Sequence, residues 1–200
     1  MSSVNTRQRL SAKDGELLSL MIDFVLDCPS TVRHKTSAKK GDKGSRKKKI
    51  VYDPVSARHS SFRERGITGH LLTTVLSQIR GPLAKSGTYA CLPASSSVEN
   101  EVSRMLNGTN NSDKYYDYIV FLSRSDMPDT EALFYYIRNS FAHGSFEIVE
   151  SANGRTFLLE SSKKDCLKAK MRLRQSTLKS MADLSRLKAV DISKLQRRKR

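Results

Sequence analysis

Three residues in the stretch "IRNSFAHGSF" have the right types for phosphodiester chemistry: Arg138, Asn139 and His143. Cleaving RNA without a metal requires that a 2′-hydroxyl lose a proton, that the leaving 5′-oxygen gain one, and that the charge on phosphorus be stabilised. Histidine is the side chain that exchanges protons near neutral pH. Arginine presents a planar fork of donors to phosphate oxygens, and asparagine can orient either the arginine or a ribose. Spacing alone carries little weight. "RGITGH", from Arg65 to His70, repeats the arginine-to-histidine interval. The second match is set apart by Asn139, by the apolar residues around it and by the helix it is expected to end.

That helix is predicted over residues 129–142. Leu133, Phe134, Ile137 and Phe141 recur at helical spacing, Asp129 suits the N-cap, Glu131 sits in the positive first turn, and Gly144 suits the exit. Arg138 and Asn139 lie off its apolar stripe. Residues five apart on a regular helix differ by about 140°, so Arg138 and His143 can converge in two ways. His143 could sit in a frayed last turn, or two copies of the helix could face one another in a two-fold dimer, which would also supply a second histidine. A purely structural role suits the same residues: a histidine near a helix end caps carbonyls, and an arginine one turn earlier pairs with a carboxylate.

Other elements follow from periodicity and turn chemistry. Helices are predicted over residues 11–27, 61–80, 97–106 and 112–125, with Gly81-Pro82 stopping the second. "IVYDPV" reads as a short strand or an anchored turn. "SFEIVE" and "RTFLLE" alternate around Asn153-Gly154, a strong hairpin signal. A last helix is expected within residues 168–187, and "KLQRRKR" reads as a basic tail. The expected architecture is therefore mainly α: a helical bundle with a short β-hairpin before the last helix. It forms a single domain over residues 1–190, with a basic mobile loop at 30–50 and a tail at 191–200.

The net charge is +16 and the pI about 10. Residues 33–49 hold nine Lys/Arg and one acid, residues 163–200 fourteen and three, and the rest of the chain is slightly acidic. Concentrated basic segments suit a polyanion, because each neutralised phosphate releases counterions. The candidates for phosphate contact are Lys39, Lys40, Lys43, Arg46, Lys47, Lys48 and Lys49 in the loop, and Arg197, Arg198, Lys199 and Arg200 in the tail. Such contacts give affinity rather than sequence choice. Tyr115, Tyr116, Tyr118, Tyr135 and Tyr136 could stack on bases, although aromatics at helical spacing more often pack.

Several classes lack support. No apolar run is long enough to span a membrane, and the first residues lack a secretory signal. Cys28, Cys91 and Cys166 have no metal or disulfide spacing and read as free thiols in a reducing, cytoplasmic setting. His34, His59 and His70 have no metal-ligand spacing. Neither a nucleophile elbow nor a glycine-rich phosphate loop is present, and no cofactor is expected.

"FYYIRNSFAHGSFEIVESANGRTFLLE" followed by "KAKMRLRQSTL" resembles the HEPN superfamily over about residues 112–187, most closely its plasmid- and phage-defence-associated branch. The resemblance implies a helical bundle, usually a homodimer, and often a metal-independent endoribonuclease of defence or toxin–antitoxin systems. It assigns Arg138 to the scissile phosphate, Asn139 to orientation and His143 to proton transfer. It leaves 2′,3′-cyclic or 3′-phosphate ends and implies an antitoxin or regulatory partner. HEPN toxins paired with a nucleotidyltransferase antitoxin carry a tyrosine where this chain has Ser145, so control through that tyrosine is not implied. Two further readings stay open: a non-catalytic nucleic-acid-binding module, and a subunit that only dimerises or docks a partner.

Overall fold

The structure, a computed structural model, describes residues 14–36, 49–56, 58, 61–85, 88–108, 117–151 and 154–197. It is an α/β fold, which corrects the expectation of a mainly helical bundle. Helix α1 (Gly15–Leu26) leads into an antiparallel ribbon of β1 (Thr31–Thr36) and β2 (Lys49–Pro54). Helix α2 (His70–Lys85), β3 (Tyr89–Leu92), α3 (Val98–Gly108), β4 (Tyr118–Leu122) and α4 (Asp129–Ala142) follow. Then come β5 (Phe146–Ser151), β6 (Gly154–Lys163), β7 (Cys166–Arg174), α5 (Gln175–Arg186) and α6 (Ala189–Arg197). Five strands form one mixed sheet in the order β3-β4-β7-β6-β5; the β3–β4 pair is parallel and the rest antiparallel.

Two strands account for most of the correction. Residues 118–122, expected in a helix, form β4, and all five are buried. Ile119 and Phe121 enter the main core, while Tyr118, Val120 and Leu122 pack with Val98, Val102 and Met105 of α3. A strand covered on both faces is apolar at every position, so its sequence hides the two-residue period. The expected last helix begins instead as β7, whose Ala169, Met171 and Leu173 are buried in strict alternation. The helical stretch starts only at Gln175. The segment expected to be a tail is largely α6, held by fully buried Ile192.

Smaller differences have equally local causes. Residues 61–69 form turns, with Gly66 and Gly69 at positive φ (71° and 52°), so α2 begins at His70. The helix then runs through Pro82 to Lys85, because Leu83 is drawn into the core. The β5–β6 hairpin forms as expected, with Ser151 opposite Gly154, whose φ is 101°. Lys164 and Asp165 both have positive φ (50° and 58°) in the two-residue β6–β7 turn, as a type I′ turn requires.

Helix α4 lies at the centre of the molecule, packed against β6, α1 and α2. Phe134 and Phe141 both meet Phe24 of α1, and Phe141 also meets Phe146 and Phe157 of the sheet. No helix among the described residues is long and apolar enough to cross a membrane.

Candidate functional site

Because α4 is packed on several sides, little of it reaches solvent. Thr130 to Phe134, Tyr136, Ile137, Ser140 and Phe141 are all buried. Beyond Asp129, the positions left open are Tyr135, Arg138, Asn139 and Ala142, followed by His143 just past the helix. Their spacing of three and four residues places them on one side of the helix. The accessible stripe of a core helix thus carries Arg138, Asn139 and His143, with Tyr135 one turn ahead of Asn139.

The end of the helix fixes His143. The Ser145 N–H donates to the Ser140 carbonyl (2.8 Å) and the Gly144 N–H to that of Phe141 (3.2 Å), a Schellman arrangement around Gly144 at φ +67°. His143 is the C-cap, with φ −100° and ψ 2°, and its N–H donates to the Asn139 carbonyl (3.0 Å). The last turn is therefore regular rather than frayed. Arg138 and His143 lie on the two flanks of the stripe, about 140° apart around the axis, and Asn139 stands between them.

Arg138 does not take up the carboxylate partner that a purely structural role would give it. Among the described residues no acid pairs with it. One of its terminal nitrogens donates to Asn139 Oδ1 (3.1 Å), and its Nε is buried without a partner. Its charge is felt by the buried Cys28 thiol, whose pKa is nevertheless raised, because burial outweighs every favourable contact. Asn139 gives its oxygen to Arg138; burial raises the pKa of Tyr135, one turn ahead, but Asn139, Arg124 and Lys163 outweigh it and hold the phenol below its usual range.

A second set of cations borders the stripe, and no local pattern along the chain points to it. Arg124, just after β4, lies over the Tyr135 ring at 4.2 Å from its centroid and is clamped by Asp126 through two hydrogen bonds of 2.8 and 2.5 Å. Lys163, the last residue of β6, adds positive charge near the same phenol. The ribbon joins this corner as well: the Arg33 N–H donates to the Asp126 carbonyl (2.9 Å) and its guanidinium to that of Ser125 (2.6 Å). At its base, Glu131 of α4 accepts hydrogen bonds from the Thr31 N–H (2.5 Å) and hydroxyl (2.8 Å). Helix α4 therefore positions both the stripe and the first strand of the basic arm.

The basic segments are only partly placed. Lys49 opens β2 and is exposed. Arg197 is the last residue of α6. Lys39, Lys40, Lys43, Arg46, Lys47, Lys48, Arg198, Lys199 and Arg200 lie outside the described residues, as do Tyr115 and Tyr116. Tyr118 and Tyr136 are buried; Tyr135 is only half-buried. Among the described residues no group of three or more His, Cys, Asp or Glu side chains could hold a metal ion. Comparison with protein-family models, with curated proteins and with solved structures gives no match to this chain.

Proposed function

We propose that the chain is an endoribonuclease acting at the open stripe of α4. Arg138 engages the scissile phosphate, Asn139 holds Arg138, and His143 transfers a proton between the ribose hydroxyl and the leaving oxygen. The observation that carries this reading is the composition of the stripe: past Asp129, the accessible line of an otherwise buried helix is Tyr135, Arg138, Asn139 and Ala142, with His143 at its end. Packing does not require an arginine whose Nε is buried and unpaired; such a donor costs about 1–3 kcal/mol. The strong positive charge supports an RNA substrate. The reading rests on these residues and not on a family fold, because the α/β architecture differs from the helical bundle that the HEPN resemblance implied. A homodimer and a regulatory partner such as an antitoxin belong to the same proposal.

The test is cleavage of end-labelled RNA by purified protein in excess chelator, with product ends identified as 2′,3′-cyclic or 3′-phosphate. Arg138→Ala and His143→Ala should each lower the rate by at least about 10²-fold with little change in melting temperature. Unchanged cleavage in either variant removes that residue from the site.

A second reading has its own supporting observation. Arg138 and His143 diverge across the stripe, which suits a surface that grips phosphates without cutting them. In that case RNA binding is salt-sensitive and weakened by Arg138→Ala, while no cleavage occurs in the intact protein.

A further inference from the structure

We infer that the β1–β2 ribbon carries a second binding site, on which single-stranded RNA docks by stacking a base on the Tyr52–Arg63 pair. The site is separate from the α4 stripe. It deepens the endoribonuclease reading, from which it takes RNA as the occupant.

Register builds the binding face. Directly paired residues of an antiparallel ribbon project to the same side. Arg33 pairs with Tyr52 and Lys35 with Ile50, whereas His34 pairs with Val51 and Val32 with Asp53. One side therefore holds two cations, an aromatic ring and an aliphatic chain. On the other, His34 Nε2 lies 3.5 Å from Asp53 Oδ2, and Val32 and Val51 are half-buried. The first side is the open one. Arg33 and Lys35 are exposed, and Ile50 and Tyr52 are 47% and 39% accessible.

A stacked pair stands on this face. Arg63, in the turns before α2, lies over the Tyr52 ring with its guanidinium carbon 3.6 Å from the centroid, the separation of flat contact. Both residues are exposed, so the stack has an open side that a third flat group can join. Bases stack on aromatic rings and on guanidinium planes alike. Charge selects the partner. Among the described residues no carboxylate forms an ion pair with Arg33, Lys35 or Arg63. The acids nearby are engaged elsewhere: Asp53 faces His34, Asp126 is clamped to Arg124, Glu131 accepts from Thr31, and Glu64 accepts from the Ser61 N–H (3.2 Å). A face with flat stacking surface and uncompensated cations is complementary to a polyanion with exposed bases.

The same face leads to the candidate site. Arg33, opposite Tyr52, donates through its guanidinium to the Ser125 carbonyl (2.6 Å), and the preceding residue, Arg124, lies over the Tyr135 ring at 4.2 Å. Two arginine–aromatic stacks, one on the ribbon and one at α4, are thus joined through Arg33. The ribbon platform supplies affinity without sequence choice, since every base has a π-face.

The probe is a 2′-O-methyl oligoadenosine carrying 2-aminopurine, a base whose fluorescence falls when it stacks. Without a 2′-hydroxyl it is not cut by the proposed route, so binding is read alone. Wild type should bind and quench it. Tyr52→Ala should weaken binding by roughly 5–150-fold and abolish the quenching, with melting temperature and salt slope unchanged. Tyr52→Phe should restore both affinity and quenching. Arg63→Lys keeps the charge but loses the plane, so affinity should fall at an unaltered salt slope. Lys35→Gln should instead lower the log–log slope by about 0.7. Equal binding and quenching by Tyr52→Ala overturns the platform. So does a wild type that binds poly-glutamate and ignores the oligonucleotide. Cleavage of ordinary RNA is scored separately. If wild type binds as expected and cuts nothing, the platform stands and the endoribonuclease reading falls. If wild type cuts while Tyr52→Ala binds normally, the platform falls alone.

Discussion

Replacing Glu131 with alanine should cost about 2–4 kcal/mol of folding stability, because this carboxylate ties the base of the β1–β2 ribbon to α4. It accepts the Thr31 N–H at 2.5 Å and the Thr31 hydroxyl at 2.8 Å, and both residues are almost fully buried. Removing the acceptor strands two buried donors at roughly 1–3 kcal/mol each. Part of this is offset, since burial penalises the charged carboxylate. Burial holds its pKa above the ordinary glutamate range despite the Thr31 hydrogen bonds and the Arg63 charge. With a urea dependence of about 2 kcal/mol per molar, the unfolding midpoint should fall by about 1–2 M, followed by circular dichroism. Glu131→Gln keeps one acceptor oxygen and should lose less.

The pH dependence has a definite sign. A carboxyl whose folded pKa is raised contributes stability that is fully present below its unfolded pKa and is lost as pH rises through the folded value. The stability of wild type relative to Glu131→Gln should therefore be greatest at the acid end and decline from the ordinary glutamate range upward. Taking the difference cancels carboxylates with the opposite trend, such as Asp126, which its hydrogen bonds to Arg124 hold low. A Glu131→Ala midpoint within about 0.3 M of wild type would refute the reasoning, since it would mean that Thr31 does not depend on this carboxylate.

Gly144→Ala should cost about 1 kcal/mol by thermal melting: a methyl group there meets nothing within 4 Å, but φ is +67°. Because Gly144 fixes the exit from the helix beside His143, cleavage should fall by more than stability does. Of the three thiols, exposed Cys166 should react at once with a disulfide reagent, whereas Cys28 and Cys91 should wait for denaturant. Burial raises the pKa of both, that of Cys91 to about 12. Neutralising Lys47, Lys48 and Lys49 should lower the log–log salt slope of single-stranded RNA binding by up to about 2; an unaltered slope excludes them from phosphate contact.

The residues of the candidate site were legible because they depend on local chemistry. A helix over residues 129–142, a glycine exit and a hairpin beyond it are fixed by apolar spacing, by the αL tolerance of glycine and by turn preference. All three stand in the structure. The fold class was not legible. In β4 every residue is apolar, and nothing along "YIVFL" distinguishes a strand buried on two faces from a helix turn in a core. In β7 Ala169, Met171 and Leu173 alternate with Lys168, Lys170, Arg172 and Arg174, the two-residue period of a strand, which the expected helix over this segment overlooked. For β4, only pairing with β3 and β7 decides between strand and helix.

The same division runs through the site. Sequence alone determined which residues of α4 are polar and where the helix ends, since both follow from the order of side chains along one element. Tertiary structure decided that those polar positions are the ones left open. The sheet, α1 and α2 cover the other faces of α4 and leave Tyr135 beside Asn139. Tertiary structure also brought Arg124 and Lys163 to the Tyr135 phenol from strand ends 11 and 28 residues away in the chain. No local propensity encodes such contacts, because they form only when the sheet closes against the helix.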